Sequence, residues 1–245
     1  MLALWLYAGF SWAAGQPATS PLAVSRQLVL VTAQEWNSTV AILRRFERTN
    51  QAARWKEIAA PIRVSLGRSG LGWGRGRHAD IHQEGPVKRE GDGRAPAGVF
   101  ALSALFGYAA PHSLAARTAK LPYWPATPDL QCVDDPLSGE YNRIVHRNLH
   151  HRIDWQSHEA MLRDDNQYAW GVVIAHNTDP TVPKAGSCIF LHVWKGENEP
   201  TEGCTAGSAT DIAPVVLWLD AAAAPMLVQL PESEYLRLKP LWNLP

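Results

Sequence analysis

Neither sign of charge is in excess: 23 Lys plus Arg face 23 Asp plus Glu, for a formal net charge of zero. That balance excludes a basic nucleic-acid surface or an acidic disordered tail as the organising feature. Long apolar runs are missing too. The apolar stretch over residues 1–14 is too short to span a bilayer comfortably, and no other segment has transmembrane character. Cysteine is scarce, with only Cys132, Cys188 and Cys204. No Cys-x-x-Cys and no His-Glu-x-x-His occurs, which removes the usual zinc patterns. Gly67, Gly70, Gly72, Gly74 and Gly76 form a glycine-dense stretch. It ends in no Gly-Lys-Ser/Thr and sits in no strand–turn–helix unit, so it is neither a Walker loop nor a dinucleotide fingerprint. It reads as a flexible loop over or beside a site. No internal period repeats.

What is present is enough for one large domain, since 245 residues can bury a sizeable core. Residues 1–13 close on the small-x-small triplet Ser11-Trp12-Ala13 and read as a secretory signal peptide. An N-terminal anchor or a plain buried segment is the alternative. Residues 14–27 read as a polar, proline-containing linker. Apolar runs at 28–32, 39–48, 55–58 and 62–66 are bounded by Gly, Pro and Asn and read as short strands. Similar signals recur at 168–175, 188–194 and 226–230. Short helices are expected at 103–106 and 113–120, and again after Asp211 as an N-cap, with Pro214 in the first turn. The pattern predicts a β-rich mixed α/β domain, sandwich-like, with few helices and long loop inserts, over 28–231. Residues 232–245 read as a surface tail. His146 and His150 stand four apart, a metal-ligand spacing on a helix. With His151 and His158 they read rather as a solvated patch or one side of a cleft, and no metal is assigned.

The chemistry-bearing stretch is 186–206. Its strand carries one polar ring, His192. A loop with Gly196, Asn198 and Pro200 leads to Gly203-Cys204 at a tight turn. A thiol is a strong nucleophile only as the thiolate, and a nearby imidazole can make it one. Amides in the turn after Gly203 are candidates for holding an oxyanion. A buried structural thiol and a satisfied core histidine are the ordinary alternatives. The strand ending in His176-Asn177 brings a second imidazole to the same end, so His176 rivals His192 as general base.

His192, Thr201, Gly203 and Cys204 together resemble the signature of the L,D-transpeptidase (YkuD-type) domains, a strand histidine followed by Ser/Thr-x-Gly-Cys. Lys88-Arg-Glu-Gly-Asp-Gly-Arg-Ala-Pro96-Ala-Gly98-Val-Phe100 is similar to that family's K-x-G-D-x-x-T-P-x-G-x-F segment. The resemblance covers roughly 28–231. Glu202 before the cysteine and Thr205-Ala206-Gly207 after it depart from the better-known members and mark a divergent branch. The 132–142 insert and Trp155-Gln-Ser-His-Glu159-Ala-Met161 are similar to segments of that branch.

The resemblance implies a periplasmic or secreted monomer that acts on peptidoglycan stem peptides. Cys204 would form a thioester, His192 would be the base, and Gly203 would belong to the catalytic turn. No cofactor and no metal would be needed. His176, Asn177, Trp194, Thr201, Thr205 and Trp155 would contact substrate, with Glu159 beside them in the cleft. Hydrolysis by a cysteine carboxypeptidase or amidase, or a non-enzymatic wall-binding module, are the alternatives. With Cys204 assigned to chemistry, an exported protein leaves Cys132 and Cys188 as a disulfide pair; three reduced thiols are the alternative. Glu202 is expected to favour a cationic substrate group, unless Arg94, Arg147 or Arg152 reaches into the cleft.

Overall fold

Apolar side chains recur densely enough along this chain to cover both sides of a sheet, and the sheet closes on itself. The computed structural model describes residues 20–78, 84–149 and 152–245. The 1–13 signal-peptide reading, and the positions of His150 and His151, lie outside the described residues. The strands are β1 (Gln27–Ala33), β2 (Val40–Glu47), β3 (Lys56–Glu57), β4 (Ile62–Ser65), β5 (Leu71–Trp73), β6 (Ala95–Gly107), β7 (Tyr123–Pro125) and β8 (Leu130–Val133). They continue as β9 (Ile144–His146), β10 (His158–Ala160), β11 (Trp170–Ile174), β12 (Phe190–Val193), β13 (Thr205–Gly207) and β14 (Met226–Pro231). Three α-helices accompany them: α1 (Leu114–Thr118), α2 (Ala209–Trp218) and α3 (Glu232–Trp242).

Neighbouring strands run β1–β14–β6–β11–β12–β13–β4–β2, and β2 pairs back onto β1 from Gln27↔Glu47 to Ala33↔Ala41. The result is a closed eight-stranded barrel, with β3, β5 and β7 attached outside that ring. The β-rich, helix-poor expectation holds, but the sandwich does not. Strand patterning is the same in both architectures; only the β1–β2 pairing distinguishes them, and no single strand encodes it. The barrel interior is filled by Val29, Val31, Leu43, Val64, Leu191, Leu227 and their neighbours, all buried, while Leu28, Val99 and Val228 are buried on the outer face. No helix among the described residues is long and apolar enough to cross a membrane.

Several local readings change. Residues 103–106 belong to β6, not to a helix. The glycine-dense stretch is packed rather than flexible: a β-carbon on Gly70, at φ +79°, would lie 2.1 Å from the Trp36 carbonyl oxygen. The described part of the linker, residues 20–27, and the 232–245 tail are both tied to the core. Leu22 is fully buried, Leu238 and Trp242 of α3 are buried in the main hydrophobic core, and Ser20 Oγ donates to the Trp242 carbonyl at 2.6 Å. Helix α2 is capped by Ser208, whose Oγ accepts from the Asp211 amide, so Pro214 sits inside the helix. Strand β13 separates that helix from Cys204.

The 132–142 insert is more ordered than a loop, as the described residues flanking it show. β10, β8 and β9 form a second, three-stranded antiparallel sheet. Leu130 and Cys132 of β8 pack with Phe106, Tyr168, Cys188 and Phe190 in a core separate from the barrel interior. The Cys132–Cys188 disulfide is formed, with Cα atoms 5.9 Å apart, and it ties β8 to the residue two before β12.

Candidate active site

Register alone brings the key side chains together. β12 and β13 are parallel, with Leu191 opposite Thr205 and His192 opposite Ala206. One step back along that register sets Cys204 opposite Phe190, whose amide donates to Cys204 Sγ at 3.3 Å. Side chains alternate along a strand and paired residues share a face. Cys204, Phe190 and His192 therefore project from one face, away from the barrel interior. Leu191, Val193 and Thr205 project from the other. Thr205 is fully buried and its hydroxyl donates to Gln229 Oε1 at 2.7 Å inside the barrel. The expected substrate contact from Thr205 is thus excluded by strand alternation.

The shared face looks onto a cavity of about 290 Å³ beneath the insert sheet. Cys204, His192, Tyr168, Glu159, Lys88 and Arg163 are among its walls. His192 is almost fully buried. Its Nδ1 lies 2.7 Å from the Val193 carbonyl oxygen, which can only accept, so Nδ1 carries the proton and Nε2 is the basic atom. The Tyr168 ring meets the imidazole edge-on at 5.2 Å, and the Tyr168 hydroxyl donates to Glu159 Oε2 at 3.0 Å. Burial lowers the His192 pKa to about 4, against the opposing pull of the Val193 and Gln167 carbonyls. Burial, with the Glu159 charge behind it, raises the Cys204 thiol to about 12. Cys204 Sγ also lies 3.6 Å from the Cys188 carbonyl oxygen, as a thiol donor would. The resting pair is neutral thiol and neutral imidazole.

The turn before Cys204 is built by its own side chains. Thr201 Oγ1 donates to the Cys204 carbonyl at 2.6 Å and accepts from the Gly203 amide at 3.1 Å. Gly203 sits at φ +147°, where a β-carbon would come within 3.0 Å of the Arg94 carbonyl. Gly203 is thus required for shape, while its amide is engaged inside the turn and not presented to an oxyanion. Thr201 does line the cavity.

Other expected contacts lie elsewhere. His176 is buried with both ring nitrogens occupied: the Arg75 amide donates to Nδ1 at 3.2 Å, and Nε2 donates to the Ala185 carbonyl at 2.9 Å. It is a structural cross-brace with its pKa lowered by burial to about 4. Asn177 braces the following loop through Val182 and Gly186. Trp194 follows β12, and its amide donates to the Gly207 carbonyl. Trp155 is buried, with its indole N–H on Gln131 Oε1 at 3.1 Å. None of these four lines the cavity. Glu202 is paired with Arg68 at 2.7 Å on the exposed rim, so its charge is already countered. Arg94 turns away to the Leu71 carbonyl, and neither Arg147 nor Arg152 reaches the cavity.

Sequence reasoning assigned no role to Tyr168, Lys88 or Arg163. Tyr168 opens a strand signal and Lys88 begins a quoted segment, but nothing local says that either side chain is turned into a cavity. His146 is held by Asp129 at 3.0 Å, and no cluster of three metal-binding side chains occurs among the described residues.

No protein-family model, no curated protein and no solved structure matches the chain.

Proposed function

We propose that this protein is a cysteine acyltransferase of the L,D-transpeptidase type, acting on peptidoglycan stem peptides in an exported compartment. The observation that carries the reading is the placement of Cys204 and His192 on one face of β12–β13, inside a walled cavity, with His192 Nδ1 fixed so that Nε2 is the base. In the first half-reaction Nε2 takes the thiol proton as sulfur attacks the donor carbonyl. The tetrahedral oxyanion collapses, the C–N bond breaks, and the leaving amine departs with the proton from Nε2. In the second, an acceptor amine loses a proton to Nε2, attacks the thioester and releases the thiol. The Cys132–Cys188 disulfide supports an oxidising location. Glu90, Asp134 and Glu159 give the cavity carboxylates that suit an amine-bearing acceptor.

The test is mass spectrometry of muropeptides incubated with the protein and with Cys204→Ala. New crosslinks, present with the wild type and absent with the folded variant, are the expected result. Shortened stems without crosslinks would assign hydrolysis instead. Equal product from a folded Cys204→Ala protein would remove the mechanism.

A further inference from the structure

An oxyanion formed beside Cys204 needs a hydrogen-bond donor, and the Gly203 amide is engaged by Thr201. We infer that the Lys88 ammonium is that donor, stabilising negative charge on the Cys204 sulfur and on the tetrahedral oxygen. The oxyanion half of this inference rests on the acyl-transfer reading; the thiolate half does not.

Lys88 is a cavity wall, yet its side chain is only 3% exposed. Its Nζ donates to the Arg89 carbonyl at 2.8 Å and to Asp92 Oδ1 at 2.7 Å. An ammonium has three N–H groups, and the third has no partner among the described residues. Its surroundings set the ammonium beside the turn that leads into Cys204. A β-carbon on Gly203 would stand 3.6 Å from Nζ, and one on Gly186 would stand 3.1 Å from Cε. Both glycines lie at positive φ, +147° and +102°. The lysine stem thus passes beside two backbone turns that only glycine suits, and its head ends next to the residue before the nucleophile.

The other charges around the thiol do not duplicate this role. Glu159, from the insert sheet, raises the thiol pKa, while Lys88 and Arg163 lower it. Arg163 is forked onto Asp165 and lies 5.0 Å over the Tyr168 ring. Glu90 is engaged by Tyr141 and by Ser187. Asp92 is pinned by the Arg89 and Arg94 amides at 2.7 and 2.9 Å, which fixes the ammonium in turn. Lys88 keeps all its protons throughout: it donates a hydrogen bond as the carbonyl electron pair moves onto oxygen, and the transferred proton stays on His192.

The experiment compares the wild type with Lys88→Met and Asp92→Asn. It reads stem-peptide turnover, the melting temperature, and the rate of Cys204 alkylation by iodoacetamide from pH 7 to 10. Lys88→Met should lose about 10²- to 10³-fold in kcat with little change in KM, the scale of one oxyanion donor. Its alkylation should slow about tenfold at each pH, as one unit of thiol pKa implies. Asp92→Asn keeps the cation and removes its counter-charge, so alkylation should speed up; this variant carries the test if Lys88→Met does not fold. A folded Lys88→Met with wild-type alkylation and turnover overturns the inference, as does slower alkylation in a folded Asp92→Asn. If the wild type turns over no stem peptide but Lys88→Met still alkylates slowly, the acyl-transfer reading fails while the role of Lys88 at the sulfur stands.

Discussion

His176 and His192 are both buried imidazoles at strand ends, and their hydrogen bonds give them opposite fates. His192 donates from Nδ1 to the Val193 carbonyl and lines the cavity that also holds Cys204, whereas His176 has both nitrogens held by backbone and lines no part of it. His192→Gln is therefore expected to lose about two to four orders of magnitude in turnover with the fold kept, the usual scale for a general base. His176→Gln is expected to lower the melting temperature and leave kcat within a few-fold. Kinetics and melts of both variants decide the matter; a reversal of the two phenotypes would move the base to His176. The choice of His192 over His176 was open to residue-level reading only through the Thr201-x-Gly203-Cys204 spacing. The occupied state of His176 depends on the Arg75 amide and the Ala185 carbonyl, and no spacing in the chain announces those partners. Thr205 shows the converse. Its place after the nucleophile suggested contact with substrate, but one step along a strand turns a side chain to the opposite face.

At the scale of elements, the disulfide joins the insert sheet to the wall that carries Cys204. Cys188 leads into β12, and its carbonyl faces Cys204 Sγ. The bridge closes a loop with a sequence separation of 56, which in the chain-entropy model contributes about 4 kcal/mol. A Cys132→Ala/Cys188→Ala double variant should show a lower urea midpoint by about that free energy, and reductant should affect the wild type but not the variant. Identical midpoints with and without reductant would show that the bridge carries no stability. The strands read as short apolar runs, β1, β2, β4 and β14, were legible because turn residues bound them. Strand β6 is buried on both faces almost throughout, so residues 103–106 show no alternation to separate strand from helix. Helix α3 is bracketed by Pro231 at its N-cap and Pro240 in its last turn, which look like breakers. Leu238 and Trp242 nevertheless stand four apart, at helical spacing, and both are buried.

For the molecule as a whole, the buried titratable groups set a pH window. His176 and His192 titrate near 4 when folded against an ordinary value of 6.5, in both cases chiefly through burial. Between those limits the unfolded chain binds protons that the folded one refuses, so stability falls as pH drops from 6.5 towards 4. Each histidine contributes roughly 3 kcal/mol at full shift. Glu159 acts in the opposite sense, because burial raises its pKa and acid favours its folded, neutral form. Two imidazoles against one carboxyl leave a net loss in acid. On the alkaline side, burial holds the Cys204 thiol near 12 against an ordinary value of 9, so stability falls again as pH rises above 9. Stability should therefore be greatest between about pH 7 and 9. Urea midpoints measured from pH 4.5 to 10 should trace that plateau with a fall on each side. His176→Gln, although less stable at neutral pH, should flatten the acid limb by removing one of the two imidazoles. A wild-type midpoint that stays level from pH 7 down to 4.5 would mean that the two rings are not held neutral, and with them would go the neutral thiol–imidazole pair from which the proposed acyl transfer starts.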